Sequence, residues 1–251
     1  MTRALPRTNF HSSQLIRCLA ELDLLEGVEP TSDFADGLAQ WMHFTDAIAL
    51  SSVHASGMAK IAPQSTELRE ATGARLAAEF ERIRAFMVNS ITKSCSPTGG
   101  NTAIKLPLLL DQEISYLPYR RFYEAHQRDM ELSVEPLRVN LRDALAKASP
   151  RLRKLAELDV VMERFLRERE ARLLARVPLL LQKHFNAQYA AHQKQVAASG
   201  QSDTPAAWMH PGGWLARFCQ TLQTLLLAGA ELRLQPSAGL LEAFNQKVHH
   251  E

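Results

Sequence analysis

Cysteine is scarce in this chain: Cys18, Cys95 and Cys219 are its whole complement among 251 residues. They lie far apart, are odd in number and form no CxxC pair, which argues against a disulfide framework and makes a reducing, cytoplasmic setting the expectation. Long apolar runs are missing as well. The richest, residues 225–230, falls far short of the roughly 18 apolar residues of a membrane span, and the opening residues lead into no apolar segment of signal-peptide length. Period-two alternation is almost absent, so sheet classes give way to all-α. The formal net charge is only +2, so bulk electrostatics point to no polyanion. GxxxxGK[ST], GxSxG, HxxxH and HExxH are all lacking. The expectation is therefore no metal, no cofactor and no enzyme activity.

What is present is helical periodicity nearly throughout. Hydrophobic residues make up 46% and charged residues 22%, proportions of a folded globular chain rather than a disordered one. The dominant stretch is 149–198. Ser149 suits an N-cap and Pro150 the first helical turn. Leu152, Leu155, Leu158, Met162, Phe165, Leu166, Leu173, Val177, Leu180, Leu181 and Phe185 then recur at steps of three and four, one apolar stripe along a helix. Unbroken, it spans on the order of 70 Å, with a kink expected at Pro178. Ser199 and Gly200 stop it.

The rest of the chain supplies partners for that stripe. Helices are expected over about 12–25, 32–54 and 65–91, closed by the breaker cluster 94–102. Helix resumes between Asp111 and Tyr119 and runs to Ala148, with Pro118 and Pro136 as kinks or breaks and Leu137, Leu141 and Leu145 as a seam. So short a turn at 148–150 predicts a long antiparallel helical hairpin. After a loop, a helix over 214–234 should end at Pro236, followed by a short one over 237–248. The expected layout is a helical bundle: an N-terminal helical unit over 1–94, a linker over 95–110, the hairpin over 111–198, a loop over 199–213 and C-terminal helices over 214–251.

Charge is unevenly placed. Between Arg17 and Lys60 there is no Lys or Arg, while Glu21, Asp23, Glu26, Glu29, Asp33, Asp36 and Asp46 are acidic. The centre is basic, with Arg164, Arg167, Arg169, Arg172 and Arg176 on the long helix. Arginine's fork of donors suits phosphate or an acidic partner, and these five are the candidate partner-binding residues. The competing reading is a solvated face laced by Glu163–Arg167 and Glu168–Arg172 pairs, and it is favoured because the acids cancel most of the charge. Arg120 and Arg121 among Tyr116, Tyr119, Phe122 and Tyr123 resemble a single-strand platform, though amphipathic packing accounts for them better. His184 and His192 share a helix without a carboxylate to complete a metal set. Residues 96–102 and 210–214 are Gly-containing loops where an anion could meet backbone N–H groups.

The residues Ala4–Phe10, Ser13–Leu22, Asp33–Trp41 and Thr45–Ser51 resemble an uncharacterised family of bacterial cytoplasmic helical proteins, a domain of unknown function. The resemblance is best over 1–55. It implies genes encoded near OmpA-like and ion-motor-like envelope proteins, and hence an accessory role at an envelope complex; it carries no site residues. The expected function is a non-enzymatic scaffold or adaptor for protein partners, with self-association to a homo-oligomer if the stripe outruns its intramolecular cover. The alternative is nucleic-acid binding through the Arg face.

Overall fold

The computed structural model describes residues 15, 18–19, 44–55, 65–96, 104–107, 114–199 and 203–246. Six helices run through them: α1 Phe44–Ala55, α2 Thr66–Cys95, α3 Leu117–Ala148, α4 Pro150–Ser199, α5 Pro205–Trp208 and α6 Trp214–Gln246. Leu15, Cys18 and Leu19 are helical too, and no strand occurs among the described residues. The fold is all-α. Most of the expected helix over 12–25, and residues 32–43 of the next, lie outside the described residues.

Local chemistry sets the ends. The Ser65 hydroxyl accepts from the Leu68 N–H, capping α2, and α2 stops where the breaker cluster begins. Ser149 is the single residue between α3 and α4, and its hydroxyl accepts from the Leu152 N–H. Pro136, Pro178 and Pro236 all sit inside helices; the departure from expectation is at Pro236, where 214–246 is one helix rather than two. The reason is tertiary. A mid-helix proline costs about 3 kcal/mol, but Leu234, Ser237, Leu240 and Phe244 are buried on both sides of Pro236, and each large apolar side chain contributes about 1.5–3 kcal/mol.

Cross-contacts give the helix directions. Ser94 meets His126 and Glu79 meets Asn140, so α2 runs against α3. Arg69 reaches Phe244 and Arg84 reaches Glu231, so α2 also runs against α6. Arg142 meets Asp159 near the Ser149 turn, and Tyr119 meets Phe185 far from it, so α4 runs back along α3. The Gln127–Arg233 and Tyr119–Phe218 contacts make α3 and α6 parallel. These two helices are the central pair, with α2 on one side and α4 on the other.

Leu137, Leu141 and Leu145 are fully buried in this core, as are Leu222, Leu226 and Phe244. At one end Tyr119, Phe185, Trp214 and Phe218 form an aromatic cluster with ring centroids 5.0–5.6 Å apart. Part of the linker docks there: Leu106 is buried and the Pro107 carbonyl accepts from the Tyr119 hydroxyl.

Candidate interaction surface on α4

The long helix contacts the core in two separated segments. Leu152 and Ala156 are buried near its start, and Val177, Leu181 and Phe185 later. No described side chain between Glu157 and Arg176 is buried. Extending the inward face from Leu152 and Ala156 at helical spacing leads to Asp159, Glu163 and Glu170, then to Val177 and Leu181. The middle of the inward seam thus carries acids as well as apolar residues such as Leu174, which packs on the core.

Those acids meet arginines of the central pair. Asp159 takes a two-pronged bond from Arg138, with Nε–Oδ2 at 2.9 Å and Nη2–Oδ1 at 2.7 Å. Arg142 reaches Asp159 at 2.6 Å and Glu163 at 2.7 Å. Glu170 pairs with Arg233 of α6 at 3.4 Å. The Arg138, Arg142, Asp159 and Glu163 side chains are only 13–23% exposed, so the network is largely screened from water. Burial alone pushes the Glu163 carboxyl up, but the Arg142 bond with the charges of Arg138, Arg142 and Arg167 outweighs it and holds the group below its usual range.

Exposed basic side chains surround this clasp. Arg164, Arg167, Arg172 and Arg176 are exposed, while Arg169's side chain lies outside the described residues. Glu163 does reach Arg167, at 3.5 Å, but its shorter contact is with Arg142, so the expected i,i+4 cancellation is weak at this pair; the Glu168 side chain is outside the described residues. Beside the arginines, Leu158, Val161, Met162 and Leu166 are half-buried and Val160 is exposed, while Leu174 packs on the core. One helical stripe holds Leu158, Met162, Phe165, Arg169, Arg172 and Arg176, at alternating steps of four and three.

Helix α1 lies on α4. Lys154 Nζ donates to the His54 carbonyl at the end of α1. Only four residues of α4 precede Lys154, so the rest of α1 extends along α4 toward the arginines. No described residue of α1 is buried, although Ile48, Leu50 and Val53 are apolar.

The other sequence candidates fall elsewhere. Tyr116, Tyr119, Phe122 and Tyr123 are core residues rather than a base-stacking face, and Arg120 is bonded to Glu124 at 2.7 Å. His184 faces Phe218, while His192 stacks on Trp214 and contacts Asp203 at 2.9 Å. No group of three or more potential metal-ligating side chains occurs among the described residues. In the second loop Gly212 has φ +88°, and the turn feeds buried Trp214 into α6; most of 96–102 lies outside the described residues.

One pair had no sequence signal. Ser94 Oγ and His126 Nε2 are 2.8 Å apart in the core. The serine hydroxyl also bonds the Ile91 carbonyl at 3.0 Å. A single hydroxyl proton cannot serve both, so His126 Nε2 carries the proton and donates. Neither residue lines a described cleft.

The fold and this surface define an all-helical protein whose longest helix turns Asp159, Glu163 and Glu170 toward the central pair and exposes Arg164, Arg167, Arg172 and Arg176, with no helix among the described residues long and apolar enough to cross a membrane. Residues 1–246 match the family model described as "Protein of unknown function (DUF3348)", and the chain belongs to that family. No curated protein and no solved structure matches it.

Proposed function

We propose that the protein is a non-enzymatic scaffold or adaptor whose middle α4 face, marked by Arg164, Arg167, Arg169, Arg172 and Arg176, receives an acidic, amphipathic helical segment of a protein partner. One observation supports this above the others: Asp159, Glu163 and Glu170 turn to Arg138, Arg142 and Arg233, while Arg164, Arg167, Arg172 and Arg176 are exposed beside half-covered apolar side chains, Arg167 also meeting Glu163. A segment with acids flanking an apolar stripe would satisfy both features. The acid-bearing, Lys- and Arg-free α1, already lying on the same helix, is a local precedent. Two copies meeting α4 to α4 would set arginine against arginine, so self-association through this face is disfavoured. Service as an accessory of a bacterial envelope complex extends the family resemblance and is the natural setting for such an adaptor.

A photoreactive residue at Val160, exposed on this segment, tests the reading in cells. The expected result is a discrete protein adduct that disappears with Arg164→Glu/Arg176→Glu. No adduct, or one indifferent to charge reversal, would reject it. The second reading, nucleic-acid binding, is favoured by the same outward arginines. It predicts retardation of single- or double-stranded nucleic acid that weakens steeply with salt; the apolar side chains between the arginines make it the lesser reading.

A further inference from the structure

A second feature, independent of the α4 face, lies between the C-terminal half of α4 and the start of α6. A cleft of about 390 Å³ opens there, within the range of about 300–1,000 Å³ typical of small-molecule sites. Helix α4 contributes His184 and Gln188; α6 contributes Arg217, Gln220, Thr221 and Thr224, and Cys18 closes one side. None of the described lining residues is acidic.

The polar groups are ordered by a relay. Arg217 Nε donates to Gln188 Oε1 at 3.4 Å. Arginine can only donate, so this contact orients the amide with its nitrogen toward His184. Gln188 Nε2 lies 3.3 Å from His184 Nε2 and donates to it. Burial lowers the His184 pKa, so the ring is neutral near pH 7 and accepts, leaving its proton on Nδ1. Arg217 Nη1 is held by the Gly212 carbonyl at 2.9 Å, which fixes the guanidinium plane at the rim. The two side-chain acceptors of the relay, Gln188 Oε1 and His184 Nε2, are engaged internally, and the Thr224 hydroxyl is spent on the Gln220 carbonyl, which leaves the arginine's Nη2, the remaining amide hydrogens and the Thr221 hydroxyl as donors. An open cleft with one fixed cation, spare donors and no carboxylate among its described lining residues is complementary to negative charge.

We propose that this cleft binds a small organic anion, its carboxylate or phosphate group held by Arg217 and the amide and hydroxyl donors of Gln188, Gln220 and Thr221. The site is a ligand-binding one and needs no chemical step. A ligand there would bridge α4 and α6.

The test is calorimetric titration of the full chain with succinate and, separately, with inorganic phosphate. The expected result is one-to-one binding of at least one anion with Kd below about 1 mM. Arg217→Gln and Thr221→Val should each weaken it tenfold or more, while Arg176→Gln on the outward α4 face leaves it unchanged. Binding of succinate alone assigns a carboxylate ligand; binding of phosphate alone assigns a phosphate ester. The proposal is overturned if neither anion binds, if Arg217→Gln and Thr221→Val bind as tightly as the parent, or if Arg176→Gln weakens binding equally, which would mean unspecific charge attraction. Arg217 is exposed and Thr221 half-buried, so both variants should keep the parent melting temperature without ligand. That comparison separates lost binding from lost fold, and no outcome depends on the α4 face binding a partner.

Discussion

At the scale of single residues, His126 makes the fold sensitive to acid. It is 1% exposed; burial lowers its pKa from 6.5, opposed by the smaller effect of Asp129. In the unfolded chain the ring protonates near its ordinary value of about 6.5, whereas the folded protein resists the proton until lower pH. Stability is therefore level above that value and falls as pH drops from it toward the folded pKa. Denaturant midpoints measured from about pH 7.5 to about pH 5 should show this slope. His126→Gln should reduce it, leaving the share due to His184, and should cost about 1–2 kcal/mol at neutral pH through loss of the Ser94 contact. An unchanged slope would remove His126 as its source. The neighbouring glycines of the second loop give a sharper contrast. A Cβ on Gly213 would stand 2.2 Å from the Trp208 carbonyl oxygen, while one on Gly212 meets nothing within 4 Å but sits at φ +88°. Gly212→Ala should cost about 1 kcal/mol, and Gly213→Ala about 2–3 kcal/mol, because backbone must move. Melting temperatures in the reverse order would contradict the close approach.

At the scale of helices, the α3–α4 clasp is a set of charges whose balance depends on every member. Arg142→Met leaves Asp159 with Arg138 and Glu163 with only its longer contacts to Arg138 and Arg167, and should cost about 2–4 kcal/mol. Adding Glu163→Leu should recover part of that loss, since paired removal of largely buried charges is far cheaper than stranding one. A double-mutant cycle showing plain additivity would mean the two do not interact. Because Glu163 is held below its usual 4.5, its contribution is present above the unfolded value and fades as pH falls through the folded one. This clasp was the least legible part of the sequence. Apolar periodicity counts Leu152, Val177 and Leu181 but passes over Asp159, Glu163 and Glu170, and the arginines that complete them lie on other helices. The spacing of three, four and seven that places these acids between Ala156 and Val177 was the only signal, and it is readable only once the inward face is known. Local chemistry was legible: the Ser65 cap, the seam of Leu137, Leu141 and Leu145, and the one-residue turn at Ser149. The passage of the last helix through Pro236 was not, because a local cost says nothing of the burial on both sides that overrides it. Pro236 is exposed, so Pro236→Ala should restore a helix hydrogen bond and stabilise by about 1 kcal/mol, the gain being reduced by a looser unfolded chain.

At the scale of the whole molecule, the long helix that dominates the sequence is a flank rather than the centre. The parallel pair α3 and α6 touches both α2 and α4, and α6 alone threads from the aromatic cluster at Trp214 to the far contact of Phe244 with the start of α2. There Arg69 donates to the Phe244 carbonyl and lies over its ring, with 5.7 Å to the centroid. A Cβ on Gly73 would stand 2.8 Å from Asn245 Oδ1 and 3.4 Å from Phe244, so α2 and α6 approach closely at this end. Ending the chain after Gln235 would remove buried Leu240 and Phe244, about 3–6 kcal/mol of apolar burial, against a typical whole-domain margin of about 5–15 kcal/mol. The α3–α4 contacts do not depend on that segment. The shortened protein should therefore keep a cooperative core, with amide exchange accelerated first over 66–80 and protection retained over 130–148. Uniform loss of protection would show instead that the far end of α6 holds the whole bundle. Unchanged exchange over 66–80 would mean that α2 stands without it. The expected pattern would place the α4 face, and any partner seated on it, on the part of the molecule that survives the truncation.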